Sequence, residues 1–377
     1  GGAAGTGGAA GAGGDFGEPT NAVFGCRDRR CESRRCTGDF VRTFEAPFGV
    51  GDPQEEASDW DVVGMPNEFV VRRGGQLSVF DLATRAFLPG SRAFTGRIVI
   101  AGDFAVTSSG GKLEKWASMA DASPVASRDV AGAPYLLWSG SELILLSVAS
   151  DKFTFQRFDL DLDPLAAAVT TSETYMAGDA ELRLAVATAG GIAVHLASPG
   201  WNELIWLIGY DGSVKEVDLE FGVGLPSTDR IAFVDHGDFV YVSAADRDNS
   251  PSFRVSPAGQ ILGTSKLQLP TGSDGERRTL GVIGPHVFAA AQGRNLEGMR
   301  RGDAAILTFD KDRLQPFVPG YAYRPKHQVV GASGSVFATL YQNDEFYETE
   351  SEPTSPWPNP GQPMFALYEC GDGISPP

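Results

Sequence analysis

Seven segments of this 377-residue chain open alike, with a small or turn-forming residue followed by a short apolar run. The clearest pair starts at Gly102 (GDFAVTS) and Gly237 (GDFVYVS). Looser copies start at positions 67, 140, 190, 284 and 334. Repetition on this scale is the mark of a repeat architecture. The repeat therefore predicts the shape of the molecule, although it does not specify an activity.

Each repeat contains four short β-prone runs separated by turn residues, which is the pattern of an all-β propeller blade. The fourth repeat shows this best, with runs at 182–188, 192–197, 203–210 and 213–219. The fourth run of the third repeat is weaker and is predicted near 173–177. The first runs begin at regular intervals, at positions 60, 97, 134, 182, 230, 279 and 327. We therefore predict a seven-bladed β-propeller of four-stranded blades.

The seventh repeat ends with its third run, at 363–369, so its blade lacks a fourth strand. An unpaired edge is a liability that a strand from the opposite end of the chain can remove. The segment 39–46 precedes the first repeat and carries Phe40 and Phe44 at even spacing. We predict that this N-terminal segment closes the ring by pairing antiparallel with 363–369.

Two third runs, 76–82 (QLSVFDL) and 306–310 (ILTFD), end in an apolar stretch followed by Asp and a turn. This pattern resembles the V-Y-x-x-D-x-x-T-G habit of propellers built from YVTN and quinoprotein-like repeats. The resemblance extends over about residues 60–370 and implies the fold alone, because propellers carry unrelated functions.

The N-terminal segment 1–25 is predicted to be a Gly/Ala-rich tether, because residues 1–14 contain only Gly, Ala and one Thr and cannot bury a core. It resembles the tethers that follow the lipidated cysteine of lipoproteins from high-GC bacteria. That resemblance implies a lipid anchor upstream of residue 1 and an envelope or secreted, extracellular location. An interdomain linker has the same composition. The remaining chain divides into a Cys/Arg-rich knot at 26–38, a propeller at 39–370 and a tail at 371–377.

The charge of the chain restricts its partners. A formal net charge of −17 at pH 7 argues against general affinity for nucleic acid or anionic lipid, since both repel a negative field. No apolar run approaches the roughly 20 residues that a membrane helix needs, so no membrane span is expected.

The loops between second and third runs grow in three adjacent repeats, at 245–251, 292–302 and 342–362. Long loops on a short-looped scaffold often carry function, and Tyr, Trp and Arg are common interface hot spots. The candidate binding residues in or beside these loops are Arg294, Arg300, Tyr321, Tyr323, Arg324, Asp344, Glu345, Tyr347 and Trp357. An alternative is that the acidic and basic loops pair with each other and form a self-neutralising rim.

No catalytic residue is predicted, because motifs such as G-x-S-x-G and H-E-x-x-H are absent from the sequence. No cofactor is expected. Asp246 with Asp248, and the triplet at 159, 161 and 163, resemble fragments of calcium loops but lack the turn Gly and final Glu of an EF-hand. The four histidines fall in different repeats and are interpreted as structural.

Three functions fit this sequence. The first is a non-catalytic extracellular or envelope propeller that binds a protein or glycan through the loops of blades five to seven. The second is an extracellular polysaccharide hydrolase or lyase, for which paired carboxylates suffice. The third is a structural subunit of an extracellular assembly.

The four cysteines predict two disulfides, because their number is even and they lie close to the two ends of the chain. Ring closure brings Cys36, just before the closing strand, beside Cys370, just after its partner, which leaves Cys26 to pair with Cys31. A metal site is the rival interpretation, although no C-x-x-C pair is present. The Cys36–Cys370 bridge would contribute more than about 4.7 kcal/mol in the chain-entropy model.

We expect peptide mapping of the unreduced protein by mass spectrometry to recover a Cys36–Cys370 cross-link and a Cys26–Cys31 loop. Reduction should lower the thermal unfolding midpoint, because it releases the constraint on the unfolded chain. Either alternative pairing, or four free thiols, would contradict the prediction.

Overall fold

A computed structural model of the chain describes eighteen segments. They are residues 30–32, 37–49, 60–132, 135–149, 151–174, 181–188, 190–197, 203–217, 231–236, 239–244, 250–267, 277–283, 286–292, 304–310, 316–322, 329–333, 336–342 and 363–369.

All regular structure in these segments is β, and the strands form seven antiparallel sheets. Sheet 1 contains β3 (Asp61–Met65), β4 (Glu68–Arg73), β5 (Gln76–Asp81), β6 (Ala86–Phe87) and β7 (Arg92–Ala93). Sheet 2 contains β8 (Arg97–Ala101), β9 (Phe104–Ser109), β10 (Lys112–Trp116) and β11 (Ala126–Asp129). Sheet 3 contains β12 (Tyr135–Trp138), β13 (Leu143–Ala149), β14 (Lys152–Phe158) and β15 (Val169–Thr170).

The later sheets repeat the same order of strands. Sheet 4 contains β16 (Glu181–Thr188), β17 (Gly191–Ala197), β18 (Glu203–Gly209) and β19 (Val214–Val217). Sheet 5 contains β20 (Ile231–His236), β21 (Phe239–Ala244), β22 (Ser250–Val255) and β23 (Ile261–Leu267). Sheet 6 contains β24 (Arg277–Ile283), β25 (His286–Gln292), β26 (Ala304–Asp310) and β27 (Pro316–Ala322). Sheet 7 contains β28 (Val329–Ser333), β29 (Val336–Gln342), β30 (Pro363–Glu369), β2 (Thr37–Glu45) and β1 (Arg30–Glu32).

The first strands of the sheets form a closed circle. β3 contacts β8, β8 contacts β12, and the series continues through β16, β20, β24 and β28, which contacts β3 again. Because each of these strands touches its counterparts on both sides, they surround a common axis, and the other strands of each sheet lie outside them. This is the architecture of a β-propeller, and the predicted fold class is confirmed.

The ring closes where the sequence predicted. β2 pairs antiparallel with β30, with Phe44 opposite Phe365 and Glu45 opposite Met364. A bulge between Phe40 and Arg42 shifts the register by one residue. β1 then adds a fifth strand outside β2 and also contacts β27 of sheet 6. The described part of the Cys/Arg-rich segment therefore belongs to the seventh sheet, while Cys26, Cys36 and Cys370 lie outside the described residues.

Two-residue hairpins of glycine connect the second and third strands of the first two sheets. Gly74 and Gly75 have φ values of +54° and +71°, and Gly110 and Gly111 have +59° and +79°. Two successive positive φ angles are characteristic of the type I′ turn, whose twist matches that of the flanking strands. Both glycine pairs are therefore hairpin turns.

Side chains of successive residues pack into opposite interfaces, because the side-chain period of a strand is two. In β4, Phe69 and Val71 face sheet 7, whereas Val70 faces sheet 2. In β13, Ile144 faces sheet 4, whereas Leu145 faces sheet 2. The middle strands are therefore apolar on both faces.

The fourth strand of sheet 3 was predicted wrongly. It is Val169–Thr170, which pairs with Thr154 and Phe155, and residues 173 and 174, the described part of the predicted run near 173–177, are not in a strand. The third strand of sheet 5 also begins earlier than predicted, at Ser250. Pro251 is compatible with that strand because only β23 pairs with it there.

Closure of the ring depends on an aromatic cluster between sheets 7 and 1. The Phe365 ring is fully buried, and its centroid lies 4.7 Å from that of Phe80, 5.4 Å from Phe87, 5.8 Å from Phe69 and 6.5 Å from Phe44. Phe80 also contacts Phe44 at 4.8 Å in an edge-to-face arrangement. These rings join strands from both ends of the chain.

Replacing Phe365 with alanine should lower the free energy of unfolding by about 3–5 kcal/mol, because the change leaves a cavity among four rings. Urea unfolding of the two proteins measures this difference. Val125→Ala is the control: Val125 is 57% exposed, so its loss should change stability by no more than about 0.5 kcal/mol. Equal losses in the two variants would contradict the assigned role of the cluster.

Candidate functional site

The strand directions define two faces of the ring. First strands run toward the face that carries the turns between first and second strands, which we call the lower face. The opposite, upper face carries the connections between second and third strands and those between successive sheets. Connections within a sheet on the upper face have two residues in sheets 1, 2 and 3, at 74–75, 110–111 and 150–151.

The same connections are longer in the other sheets. They have five residues in sheets 4 and 5 (198–202 and 245–249), 11 in sheet 6 (293–303) and 20 in sheet 7 (343–362). The connections lengthen from sheet 5 through sheet 7, as the sequence predicts. The sheet 5 connection itself is not enlarged, because the earlier start of β22 makes it no longer than that of sheet 4. The strongly extended connections belong to sheets 6 and 7, which are neighbours.

The predicted binding residues concentrate at these two sheets. Eight of them lie outside the described residues, in the upper-face connections 293–303, 323–328 and 343–362: Arg294, Arg300, Tyr323, Arg324, Asp344, Glu345, Tyr347 and Trp357. The ninth, Tyr321, lies in β27, the outer strand of sheet 6, opposite Ala305. Its position is one residue from the upper end of that strand.

A second group of polar residues, which the sequence interpretation missed, lies where the ring opens on the upper face. We call it the mouth cluster, and it consists of Asp61, Arg72, Arg97 and Tyr135. Asp61, Arg97 and Tyr135 are the first residues of β3, β8 and β12, the strands around the axis. Their position at the start of a first run was the only signal in the sequence.

Asp61 and Arg72 are opposite each other in adjacent strands. Asp61 Oδ2 lies 3.9 Å from Arg72 Nη2, and Arg72 Nη1 donates a hydrogen bond of 2.8 Å to the carbonyl oxygen of Gly96 in the next sheet. Arg72 is nearly buried, whereas 39% of the Asp61 side chain is exposed. Arg72 therefore connects sheet 1 to the residue that precedes Arg97.

Burial raises the pKa of Asp61 above its usual value. The charges of Arg72 and Arg97 and the N–H of Val62 act in the opposite direction, but burial outweighs them. Because the Asp61 side chain is partly exposed, screening by solvent moderates this shift. The position of Asp61 at the mouth of the ring therefore makes its ionised form less favourable than in water.

Arg97 and Tyr135 continue the cluster into sheets 3 and 4. The guanidinium carbon of Arg97 lies 5.6 Å from the centre of the Tyr135 ring, within the range of a cation–π interaction. The Tyr135 hydroxyl donates to the carbonyl oxygen of Leu182 at 3.2 Å. The mouth cluster therefore links four successive sheets.

The lower face has contacts that hold sheets together. Glu68 is almost buried and accepts hydrogen bonds from the Ser118 hydroxyl at 2.6 Å and from the Met119 N–H at 2.7 Å. A cleft of about 150 Å³ opens between sheets 4 and 5. Lys215 lines it, but its ammonium group donates to the carbonyl oxygen of Ala258. The ammonium group of Lys215 therefore bonds to the protein itself, across the cleft.

Three of the aspartates suggested as calcium ligands lie in the described segments, and each contacts another group of the protein. Asp159 Oδ1 accepts from the N–H groups of Asp161 and Asp163, while Asp161 faces Lys115 and Asp163 pairs with Arg128. The described segments contain no group of three His, Cys, Asp or Glu residues arranged to hold a metal ion. Asp246 and Asp248 lie outside those segments.

Among the residues that the structure describes, no helix is long and apolar enough to cross a membrane.

Comparison with known proteins identifies a fold but no family. No protein-family model and no curated protein matches the chain. The WD40 domain of coronin from Toxoplasma gondii is similar in structure, with a TM-score of 0.52 and 10% identity over 92% of this chain and 92% of that one. That likeness supports the propeller fold alone and leaves the YVTN and quinoprotein-like type a prediction.

Two further structures are similar at lower scores. The WD40 domain of SCAP from fission yeast has a TM-score of 0.47 and 10% identity, covering 89% of this chain and 99% of that one. The Dos1 propeller has a TM-score of 0.48 and 10% identity, covering 93% and 98%.

The raised pKa of Asp61 predicts how stability changes with pH. A carboxyl with a higher pKa in the folded state contributes stability that is complete below the unfolded pKa, about 3.9, and is lost as the pH rises through the folded value. Asp61→Asn does not titrate, so its stability relative to the original protein should increase over that interval. Urea unfolding at several pH values measures the difference.

Asp81→Asn provides a control of opposite sign. Hydrogen bonds from the Thr84 hydroxyl and N–H lower the pKa of Asp81, so the stability contributed by this carboxylate is present above the unfolded pKa and lost as the pH falls. The stabilities of the two variants, each relative to the original protein, should therefore change in opposite directions as the pH changes. A pH-independent effect of Asp61→Asn would contradict the raised pKa.

Proposed function

We propose that the chain is a non-catalytic binding scaffold that holds a protein or glycan partner on the upper face, over sheets 5 to 7. The observation that carries the proposal is the difference in connection length around one face. The second and third strands need only two residues between them in sheets 1 to 3, yet 11 and 20 residues join them in sheets 6 and 7. A loop longer than is needed to join two strands costs additional conformational entropy when it is ordered. A role in binding explains why such loops are present.

The composition of the two connections supports a partner with both charged and aromatic contacts. Segment 343–362 carries five carboxylates and four prolines, and segment 293–303 carries three arginines. Tyr347 and Trp357 belong to the first segment, and Tyr323 precedes sheet 7. Prolines restrict the chain and so reduce the entropy lost on binding, while Tyr, Trp and Arg are enriched at interface hot spots.

The proposed location is extracellular or in the cell envelope, where disulfides persist. Support comes from the two predicted disulfides and from the Gly/Ala-rich segment 1–25, whose resemblance to bacterial lipoprotein tethers implies a lipid anchor. In that setting the partner would be a protein or glycan of the envelope or the extracellular space.

One observation favours a second candidate, the polysaccharide hydrolase or lyase. Asp61 is a carboxyl group with a raised pKa at the mouth of the ring, as a general acid requires. Glycoside chemistry uses a pair of carboxylates, whereas the charged groups that act on the pKa of Asp61 are Arg72 and Arg97. The binding scaffold is therefore the better supported of the two.

Strand register allows the long connection to be removed cleanly. Gln342 and Pro363 are opposite each other at the ends of β29 and β30, just as Arg73 and Gln76 are on either side of the Gly74–Gly75 hairpin. Replacing 343–362 with Asn-Gly should therefore keep the sheet. We expect affinity capture from the native envelope or secretome to yield a partner with the intact protein and to lose it with this variant.

A matched control shortens an upper-face connection that lies outside sheets 5 to 7. Ala197 and Glu203 form the equivalent pair in sheet 4, so 198–202 is replaced with the same Asn-Gly turn and should leave capture unchanged. Alanine at Tyr323, Tyr347 and Trp357 should reduce capture without shortening any loop. Capture of the same partner by all variants would disprove the assigned surface. Capture of nothing, even by the intact protein, would favour the enzyme or the structural subunit.

A further inference from the structure

Arg97 is an exposed arginine at the mouth of the ring, without an ion-pair partner in the described segments. It is the first residue of β8, at the upper end of a strand that surrounds the axis. Ion pairs formed between residues of these segments include those of Arg72, Arg128, Arg157 and Lys115, and Arg97 belongs to none of them. Its guanidinium donors are therefore available to a ligand.

The backbone that carries Arg97 is fixed by its neighbours. Arg72 donates a hydrogen bond to the carbonyl oxygen of Gly96 at 2.8 Å. A Cβ atom on Gly96 would lie 2.4 Å from the carbonyl oxygen of Ser108, so only glycine permits the close approach of these two strands. The residue before Arg97 is thus held from both sides, which limits how far the arginine can move.

The side chain of Arg97 is oriented as well. Its guanidinium lies over the ring of Tyr135, at 5.6 Å from the centroid, and the Tyr135 hydroxyl is anchored to the Leu182 carbonyl oxygen. The N–H donors of a guanidinium lie in its own plane, where they can meet another planar group. A contact made by such an oriented side chain costs less entropy than one made by a free arginine.

Local charge selects a ligand with one negative charge. The mouth cluster has two guanidinium groups and one carboxyl, so its environment is positive although the whole chain has a net charge of −17. Arg72 is the cation within 4 Å of Asp61, whereas Arg97 acts on Asp61 from a greater distance. A doubly charged phosphate would meet stronger repulsion from Asp61 than a carboxylate does. A carboxylate also matches the donor fork of arginine with two parallel hydrogen bonds.

We propose that Arg97 is the anchor of a carboxylate-binding site at the mouth of the ring, distinct from the surface of sheets 5 to 7. The carboxylate can belong to a peptide terminus or to a small free acid, since both present the same planar anion. Arg72, Gly96 and Tyr135 position the arginine, and Asp61 limits the charge of the ligand.

The test uses NMR of the full chain labelled on arginine and tyrosine, at constant ionic strength. The probes are the acetylated pentapeptide Ala-Gly-Ala-Gly-Ala with a free C-terminal carboxylate, the same peptide with a C-terminal amide, and sodium acetate. The free-carboxylate peptide should shift the Arg97 Nε–H and Tyr135 ring signals to saturation, and the amide should not. Saturation by acetate with equal affinity assigns the site to small acids, whereas tighter binding of the peptide assigns it to chain termini.

Variants separate geometry from charge. Arg97→Lys keeps the charge but loses the paired donors, so binding followed at the Tyr135 ring should weaken roughly tenfold. Arg97→Met should abolish it. Lys112→Met is the matched control, because it removes one exposed positive charge from the upper face of the same sheet and should bind like the original protein.

Three results would overturn the proposal. The first is that neither the free-carboxylate peptide nor acetate causes a saturable shift. The second is that sodium chloride or the amide peptide causes equal shifts, and the third is that Arg97→Met binds the probes as well as the original protein does. The variant with the shortened 343–362 connection should bind the probes normally. The NMR titration therefore tests the carboxylate site, and the affinity capture tests the surface of sheets 5 to 7, so either proposal can be contradicted without the other.

Discussion

The pairing of β2 with β30 is the interaction on which the ring depends. It joins residues 37–45 to residues 363–369 and places Phe44 and Phe365 against Phe80 of sheet 1. Without it, sheet 7 would keep an unpaired edge, and the aromatic side chains of sheet 1 would lose their cover. The first strands surround the axis as a closed circle only while this seam is intact, so the positions of Asp61 and Arg97 at the mouth depend on it indirectly.

The sequence predicted the elements that depend on local patterns. The predicted run 363–369 has the same bounds as β30, and the first three runs predicted in the fourth repeat agree with β16, β17 and β18 to within one residue. Apolar runs and turn-forming glycines act over a few residues, so the sequence shows them directly. The fourth strand of sheet 3 was misplaced, since the preceding turn is held by Asp159 accepting two backbone N–H groups. The mouth cluster could not be predicted, because the hydrogen bond from Arg72 to Gly96 connects two sheets and leaves no periodic signal.

The two candidate surfaces on the upper face are built in different ways. The sector at sheets 6 and 7 is defined by connection length, which follows from strand bounds and can be read from the repeat. The mouth cluster is defined by side chains that reach from one sheet to the next, from Asp61 through Arg72 and Arg97 to Tyr135. The first kind of surface tolerates insertion, whereas the second requires the spacing between sheets to be maintained.

The seam also sets an order in time. β2 leaves the ribosome long before its partner β30. Phe44 therefore stays without its native neighbour Phe365 until more than 300 further residues have been made. Contacts of such large sequence separation form slowly and leave apolar surface uncovered meanwhile. Residues 1–14, which are made before β2, contain only Gly, Ala and one Thr, so they add little apolar surface to the nascent chain during that wait.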